Sequence, residues 1–242
     1  MKVLKELISS IPDGFAAKEV VVGVFWTMVL GQRPGLASTF APPHPHEEAP
    51  VRDAGSLSGR PLKELASLLI EGSLLEASIG LAALNASLRV EERWLIEANA
   101  SEVLLQRAKG KPTVLIGHFP FVEELKQVAR PLWVLELNPQ QGDLPAERAG
   151  EVLPQAEVIA ITSTVLINRT LEGLLRLCPP RSFKALIGPS TPLSPLLFDL
   201  GFDILAGAMV EDPERVRQAV IQGATFRQLK GLGVKLVTMK RR

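Results

Sequence analysis

From Thr113 onward, short apolar segments alternate with segments of helical periodicity, and this alternation limits the fold more than any other feature of the sequence. Five segments have the length and apolar composition of buried strands: Thr113–Ile116, Leu132–Leu137, Val158–Ile161, Ala185–Ile187 and Ile204–Val210. Strands that alternate with helices in this way form a mostly parallel sheet. The sequence therefore predicts an α/β fold here, closed by a last strand at Val234–Thr238.

The first part of the chain lacks this alternation. We predict a smaller α+β domain over residues 1–98 and a ligand-binding α/β domain over residues 99–242. In the smaller domain, Val20–Leu30 is predicted to be one strand, with Leu36–Phe40 as its antiparallel partner. Pro61 is well placed to begin a helix, and a second helix is predicted over about Leu74–Ser87, where small side chains permit close packing.

Composition excludes several classes of function. The chain has 27 Lys and Arg residues against 26 Asp and Glu residues, without a basic stripe, which argues against nucleic acid as a partner. The one cysteine, Cys178, excludes an internal disulfide framework and a multi-cysteine metal cage. The longest uncharged apolar run, Val20–Gly31, is too short to span a bilayer. We therefore expect a cytoplasmic protein with no membrane partner.

Polar residues follow three of the predicted parallel strands. They form the segments Gly117-His118-Phe119, Thr162-Ser163-Thr164 and Gly188-Pro189-Ser190-Thr191. Because the carboxyl ends of parallel strands meet at one edge of a sheet, these groups are expected to converge there. Such an edge favours an anion, a carboxylate or a polar small molecule. The alternative is that the hydroxyls only cap helices.

The third of these segments belongs to Lys184–Ser194, which runs from a strand through a polar turn. Pro192 is of a type preferred at the first helical position, so we predict a helix there, near Leu193–Leu200. In this interpretation Ser190 and Thr191 present their hydroxyls to a ligand. The competing interpretation makes Thr191 a simple helix cap.

Glu136 ends the second predicted strand, 19 residues after Gly117. In dinucleotide-binding folds an acid at about this distance from the glycine turn holds the ribose hydroxyls. The turn after Gly117 lacks the second and third glycines, however, so a conventional NAD site is not expected. A nucleoside-like or carboxylate-bearing ligand stays open, and we include Glu136 and Asn138 in the predicted site.

The sequence contains three histidines, His44, His46 and His118. His118 follows a strand, where it is a candidate ligand contact or metal ligand. The segment His44-Pro-His46-Glu47-Glu48 carries donors for a borderline metal such as zinc, but it lies in a proline-rich loop over Ala41–Gly59. Cys178 is interpreted as a packed apolar residue. No catalytic mechanism follows from the residues.

Several longer segments resemble a known family that is catalogued as a domain of unknown function under the description "putative heavy-metal chelation". The resemblance covers nearly the whole chain and rests on these segments: Pro61–Ala66, Glu76–Asn85, Ile116–Pro120, Thr162–Glu172 and Ile187–Phe198. It implies an N-terminal domain similar to that of enolase, a Rossmann-like C-terminal domain, and a ligand or metal in the crevice between them. It also implies a set of residues around that crevice: Gly117, His118, Thr162, Ser163, Thr164, Asn168, Ser190, Thr191 and, from the N-terminal side, Asn85.

Together these observations predict a protein that binds a small polar or anionic ligand, or a transition metal or metal chelate, in an interdomain crevice. The second hypothesis is an enzyme that uses a nucleotide-like cofactor there, with Glu136 on a ribose and His118 as acid or base. A purely structural or partner-binding module is the third. The identity of the ligand, catalysis and assembly into a homo-oligomer all stay open.

Overall fold

The computed structural model describes residues 2–41 and 50–241. In this part of the chain the strands form one three-stranded and one eight-stranded sheet. The three-stranded sheet is antiparallel, in the order β1 (Glu19–Val22), β2 (Trp26–Leu30), β3 (Pro34–Ser38). Three helices accompany it: α1 (Lys2–Ser9), α2 (Leu62–Glu71) and α3 (Leu74–Ser87).

The prediction of one continuous strand over Val20–Leu30 is wrong, because the chain reverses within it. Glu19 pairs with Leu30, and the backbone N–H of Gly23 donates to the carbonyl of Trp26 at 2.9 Å, which closes a hairpin. Gly23 lets this hairpin approach Val220 closely, because a Cβ there would lie 2.4 Å from the carbonyl oxygen of Val220. The predicted antiparallel partner strand is confirmed as β3.

Helix α3 is buried along almost its whole length and packs against α2. It begins with a capping box, in which the Ser73 hydroxyl accepts from the backbone N–H of Glu76 and the Glu76 carboxylate accepts from that of Ser73. Gly80 lets the two helices meet, since a Cβ there would lie 2.4 Å from the backbone nitrogen of Leu69. The predicted close packing of small residues is therefore present.

The eight-stranded sheet has the order β4-β11-β10-β9-β8-β5-β6-β7. Neighbouring strands from β10 to β7 are parallel, and β11 is antiparallel to both β10 and β4. The strands are β4 (Leu95–Ile96), β5 (Thr113–Ile116), β6 (Leu132–Glu136), β7 (Leu144–Pro145), β8 (Val158–Thr162), β9 (Phe183–Ile187), β10 (Ile204–Val210) and β11 (Val234–Lys240). The predicted mixed α/β class with a mostly parallel sheet is confirmed.

Six α-helices lie between these strands in the described part of the chain. They are α4 (Ala100–Arg107), α5 (Val122–Val128), α6 (Ala149–Val152), α7 (Leu171–Leu177), α8 (Pro213–Ile221) and α9 (Phe226–Lys230). The Asp212 carboxylate caps α8 by accepting from the backbone N–H of Arg215 at 3.1 Å. None of the helices described is long and apolar enough to cross a membrane.

The prediction of a helix beginning at Pro192 is also wrong. The residues from Ser190 to Ser194 are buried and non-helical, and a 3₁₀ helix follows only at Pro195–Leu200. The cause is tertiary packing: a Cβ at Gly207 of β10 would lie 2.7 Å from the carbonyl oxygen of Thr191. This contact holds the segment against the sheet, so Thr191 does not cap a helix.

The two parts of the chain share buried contacts. One hydrophobic cluster contains both Leu84 of α3 and Leu186 of β9. An ion pair adds a second link, because the Arg217 guanidinium donates two hydrogen bonds, of 2.6 and 2.7 Å, to the Glu19 carboxylate. This hydrogen bonding lowers the pKa of Glu19.

Candidate functional site

A cavity of about 390 Å³, which we call the strand-edge cavity, lies at the carboxyl ends of β5, β6 and β8. This is the usual position of ligands in open α/β sheets. The residues that line it include six from the predicted site: Gly117, His118, Glu136, Thr162, Thr164 and Asn168. The three polar strand exits predicted from the sequence are therefore not equivalent, because the exits of β5 and β8 reach this cavity and that of β9 does not.

Gly117 allows the exit of β5 to approach β8. Its φ is +100°, a conformation that side chains other than glycine rarely adopt. A Cβ at this position would lie 2.9 Å from both Cβ and Cγ2 of Thr162. The glycine thus permits the turn and brings the His118 loop beside the β8 exit.

The Glu136 carboxylate holds the loop that follows β5. Its Oε1 accepts from the backbone N–H of His118 at 2.6 Å, and its Oε2 accepts from the backbone N–H of Leu137 at 3.2 Å. In nucleotide sites, backbone N–H groups in a loop of this kind, at the carboxyl end of a parallel strand, bind phosphate. Here a carboxylate of the protein already occupies that donor.

The His118 imidazole lies against a second carboxylate that the sequence analysis missed. Its Nδ1 is 3.4 Å from Oδ2 of Asp143, which also accepts from the backbone N–H of Gln140 at 3.1 Å. The Asp143 side chain is 5% exposed and that of His118 is 37% exposed. Because the carboxylate contacts Nδ1, the other ring nitrogen, Nε2, is the one that can bind another group. In metal sites, a carboxylate on one ring nitrogen orients the histidine in the same way.

Of the hydroxyl side chains at the carboxyl end of β8, some lie at the cavity and one lies in the interior. Thr162 and Thr164 line the cavity, with their Oγ1 atoms 3.0 Å apart. Ser163 is buried and faces β9, since a Cβ at Gly188 would lie 2.4 Å from its Oγ. Of the three predicted hydroxyls, two are therefore available at the cavity.

Ser190 and Asn85 join the two parts of the chain. Ser190 Oγ accepts from the backbone N–H of Ser38 at 2.8 Å, and Asn85 Nδ2 donates to the carbonyls of Leu36 and Ser190 at 2.9 and 3.0 Å. Both residues are buried and neither lines the strand-edge cavity. Within the described part of the chain, Asn85 Oδ1 and Thr191 Oγ1 are buried without a hydrogen-bond partner.

The remaining predicted residues lie outside the lining of the cavity. Phe119 is buried and stacks on Phe121, with ring centroids 5.3 Å apart. Asn138 is exposed and Pro189 is half-buried. The segment from His44 to Glu48 lies outside the described residues.

The charge of the strand-edge cavity is negative. Glu136 lines it, and Asp143 lies beside it against His118. No lysine or arginine is among the described lining residues. This favours a cation or a neutral polar molecule over the anion considered from the sequence. Within residues 2–41 and 50–241, however, no three His, Cys, Asp or Glu side chains are grouped as a complete metal site.

Cys178 is excluded as a soft-metal ligand or nucleophile. It is buried, its Sγ is 3.2 Å from the carbonyl oxygen of Leu174, and burial raises its pKa to about 11. We expect its thiol to react at pH 8 at least about 100-fold more slowly with Ellman's reagent in the native protein than in guanidinium chloride. Equal rates in the two states would contradict this burial.

Comparison with known proteins supplies the family. Residues 99–239 match the DUF364 family model, described as "Putative heavy-metal chelation". The chain belongs to this family. Residues 4–88 match a second model, DUF4213, with the same description. The resemblance drawn from the sequence is thus confirmed.

Two solved structures share the DUF364 fold. One is a protein of unknown function from Desulfitobacterium hafniense, with 29% identity and a TM-score of 0.86 over 99% of this chain and 98% of that one. The other, from Pyrococcus horikoshii, has a TM-score of 0.83 over the same shares, and its 18% identity indicates the fold alone.

A curated relative matches part of the chain. It is an uncharacterized protein of Methanocaldococcus jannaschii, 30% identical over 152 residues, which make up 59% of this chain and 57% of that protein. The match therefore spans less than two thirds of the relative.

The donors at the strand-edge cavity define which metals suit this member of the DUF364 family. Imidazole and carboxylate groups suit a borderline or hard cation such as zinc, whereas soft heavy metals prefer thiolates. The one cysteine is buried and protonated. By this chemistry, the donors at the cavity match a borderline cation better than a soft heavy metal.

Proposed function

We propose that this protein binds a divalent metal, free or as a small chelate, at the strand-edge cavity. His118 would supply the imidazole ligand through Nε2, and Asp143 would orient that imidazole. Glu136 would fix the loop and contribute negative charge. The observation that carries the proposal is the contact between the His118 imidazole and the Asp143 carboxylate, in a loop whose backbone Glu136 holds, beside a cavity with no lysine or arginine among its described lining residues. Membership of the DUF364 family, whose description is "Putative heavy-metal chelation", supports it.

The hydroxyl and amide groups of the cavity suit the organic part of a chelate. Thr162, Thr164, Asn168 and Thr170 line the cavity together with Glu136 and offer neutral donors and acceptors. A cavity of about 390 Å³ is within the range of small-molecule sites. It is larger than a bare ion requires, which favours a metal bound together with a small polar molecule.

Titration calorimetry with Zn²⁺ tests the proposal, because the chain has three histidines, His44, His46 and His118. We expect His118→Ala to abolish Zn²⁺ binding and Asp143→Asn to weaken it by about 10- to 100-fold, the usual effect of losing the group that orients a histidine ligand. The matched control is the double variant His44→Ala/His46→Ala, which is expected to bind like the wild type. Zn²⁺ binding that survives in His118→Ala and is lost in the double variant would overturn the proposal.

The second candidate is an enzyme that binds a nucleotide-like cofactor at this edge. The observation that favours it is the position of Glu136 at the end of β6, next to the Gly117 turn, where dinucleotide-binding folds place a ribose-binding acid. Both of its carboxylate oxygens accept backbone N–H groups, which argues against this role. Adenosine nucleotides that bind the wild type and fail to bind Glu136→Gln would favour the enzyme; no nucleotide binding would dismiss it.

A further inference from the structure

Arg169 sits between two residues of the strand-edge cavity, Asn168 and Thr170, in an unusual backbone conformation. Its φ is +62°, in the left-handed region that residues other than glycine and asparagine seldom occupy. Such a conformation persists where the surrounding contacts hold it, and it is concentrated at functional sites. Neither the family nor the sequence pattern assigns a role to this arginine.

The side chain of Arg169 reaches out of the α/β part of the chain to the end of helix α2. Its Nε donates to the carbonyl of Leu69 at 3.0 Å, and its Nη2 donates to the carbonyl of Gly72. The last carbonyls of a helix have no partner within the helix and carry partial negative charge. Arg169 therefore caps α2 with a charged, two-donor contact over a sequence separation of about 100 residues.

The turn that carries Arg169 is itself closed by hydrogen bonds. Asn168 Oδ1 accepts from the backbone N–H and the hydroxyl of Thr170, at 3.2 and 2.7 Å. The backbone N–H groups of Asn168 and Thr170 donate to the carbonyls of Thr164 and Val165. The turn is therefore one tight unit, and the Arg169 side chain ties this unit to α2.

We propose that Arg169 is a positioning residue for the strand-edge cavity. Its contact with α2 holds Asn168 and Thr170 in the cavity wall, so that the N-terminal part of the chain contributes to ligand affinity without lining the site. The effect on affinity rests on the proposed function, whereas the effect on the wall itself does not require a ligand.

The chain offers a matched control. Arg217 also links the two parts of the chain through two hydrogen bonds, to Glu19, but its helix α8 contributes no residue to the described lining of the cavity. Arg169→Asn keeps a residue that tolerates the left-handed conformation and removes the reach to α2. Arg169→Lys keeps the charge and one donor group, and should restore part of the effect.

Hydrogen exchange of the ligand-free protein tests the anchoring. We expect Arg169→Asn to speed amide exchange in residues 164–170 by about 10-fold, the factor that corresponds to a lost charge-assisted hydrogen bond. Arg169→Lys should give an intermediate rate, and Arg217→Ala should leave this segment at the wild-type rate. An unchanged rate in Arg169→Asn, or an equal acceleration in Arg217→Ala, would overturn the proposal.

Zn²⁺ titration of the same variants tests the consequence for the site. We expect affinity to fall by about 10-fold in Arg169→Asn, matching the exchange effect, and to stay at the wild-type value in Arg217→Ala. Faster exchange with unchanged affinity would show that Arg169 has a structural role alone and would overturn the positioning role. Absence of Zn²⁺ binding in the wild type would refute the proposed function. The hydrogen-exchange rates alone would then test whether Arg169 anchors residues 164–170.

Discussion

Replacing Gly80 with alanine is expected to destabilise the protein by about 3 kcal/mol, at the upper end of the usual cost of overpacking a core. Within a helix this substitution ordinarily stabilises by about 0.5 to 1 kcal/mol. In α3 the sign reverses because the new Cβ would lie 2.4 Å from the backbone nitrogen and 3.0 Å from Cα of Leu69. Backbone atoms cannot turn aside as a side chain does, so α2 and α3 would have to separate.

Urea unfolding monitored by circular dichroism measures this change, and Gly173→Ala is the matched control. Gly173 lies in helix α7, and a Cβ there would have no atom within 4 Å. We expect this control to gain stability, by about 0.5 kcal/mol. A shift of the urea midpoint in the same direction for Gly80→Ala and Gly173→Ala would contradict the close contact between α2 and α3.

Glu76→Ala is expected to destabilise the protein by about 3 kcal/mol, because it removes the acceptor of three hydrogen bonds that contribute about 1 kcal/mol each. Glu76 is 3% exposed, and its carboxylate accepts from the backbone N–H groups of Arg52 and Ser73 and from Nε of Arg52. The matched control is Glu151→Ala. It removes a carboxylate paired with Arg148 on the surface, where ion pairs contribute little.

The same carboxylate gives a pH dependence. Burial acts to raise the pKa of Glu76, but the hydrogen bonds from Arg52 and Ser73 outweigh it and hold the pKa below its usual value. A lowered folded-state pKa stabilises the protein above the unfolded-state pKa, which is about 4.3. The difference in unfolding free energy between wild type and Glu76→Ala should therefore be constant near neutral pH and shrink as pH falls below about 4.3. A difference that grows in acid would contradict this.

Five of the parallel strands, β5, β6, β8, β9 and β10, could be predicted from the sequence because strands in the interior of a parallel sheet are mainly apolar. Ile204–Val210 has the same bounds in the structure as in the prediction. The Val20–Leu30 hairpin could not be predicted in this way, since its turn, Gly23-Val-Phe25, lacks polar turn residues. That turn lies against Val220, almost 200 residues away along the chain, and such a contact is not visible in the sequence.

Part of the candidate site could also be predicted. Gly117, His118 and Thr162 follow strands that are neighbours in the sheet, so the convergence rule for strand ends applies to them. Ser190 follows a strand as well, but contact with Ser38 and Asn85 draws it into the interior. A single sequence carries no signal for such long-range polar contacts.

Asp143 could not be assigned a role from the sequence. It lies in a loop whose conformation has no periodic pattern, and it reaches His118 because the two-residue strand β7 pairs with β6 at the edge of the sheet. Neither this short strand nor its place in the strand order is visible in the sequence. A carboxylate next to a histidine at a strand exit is recognised only once the sheet is assembled.

The most direct test of metal binding at the strand-edge cavity is a crystal structure of the protein grown with Zn²⁺, with anomalous data collected at the zinc edge. We expect one strong anomalous peak in contact with Nε2 of His118, beside the side chains of Glu136 and Thr162. A fully occupied peak bound elsewhere, with His118 making no contact to metal, would contradict it.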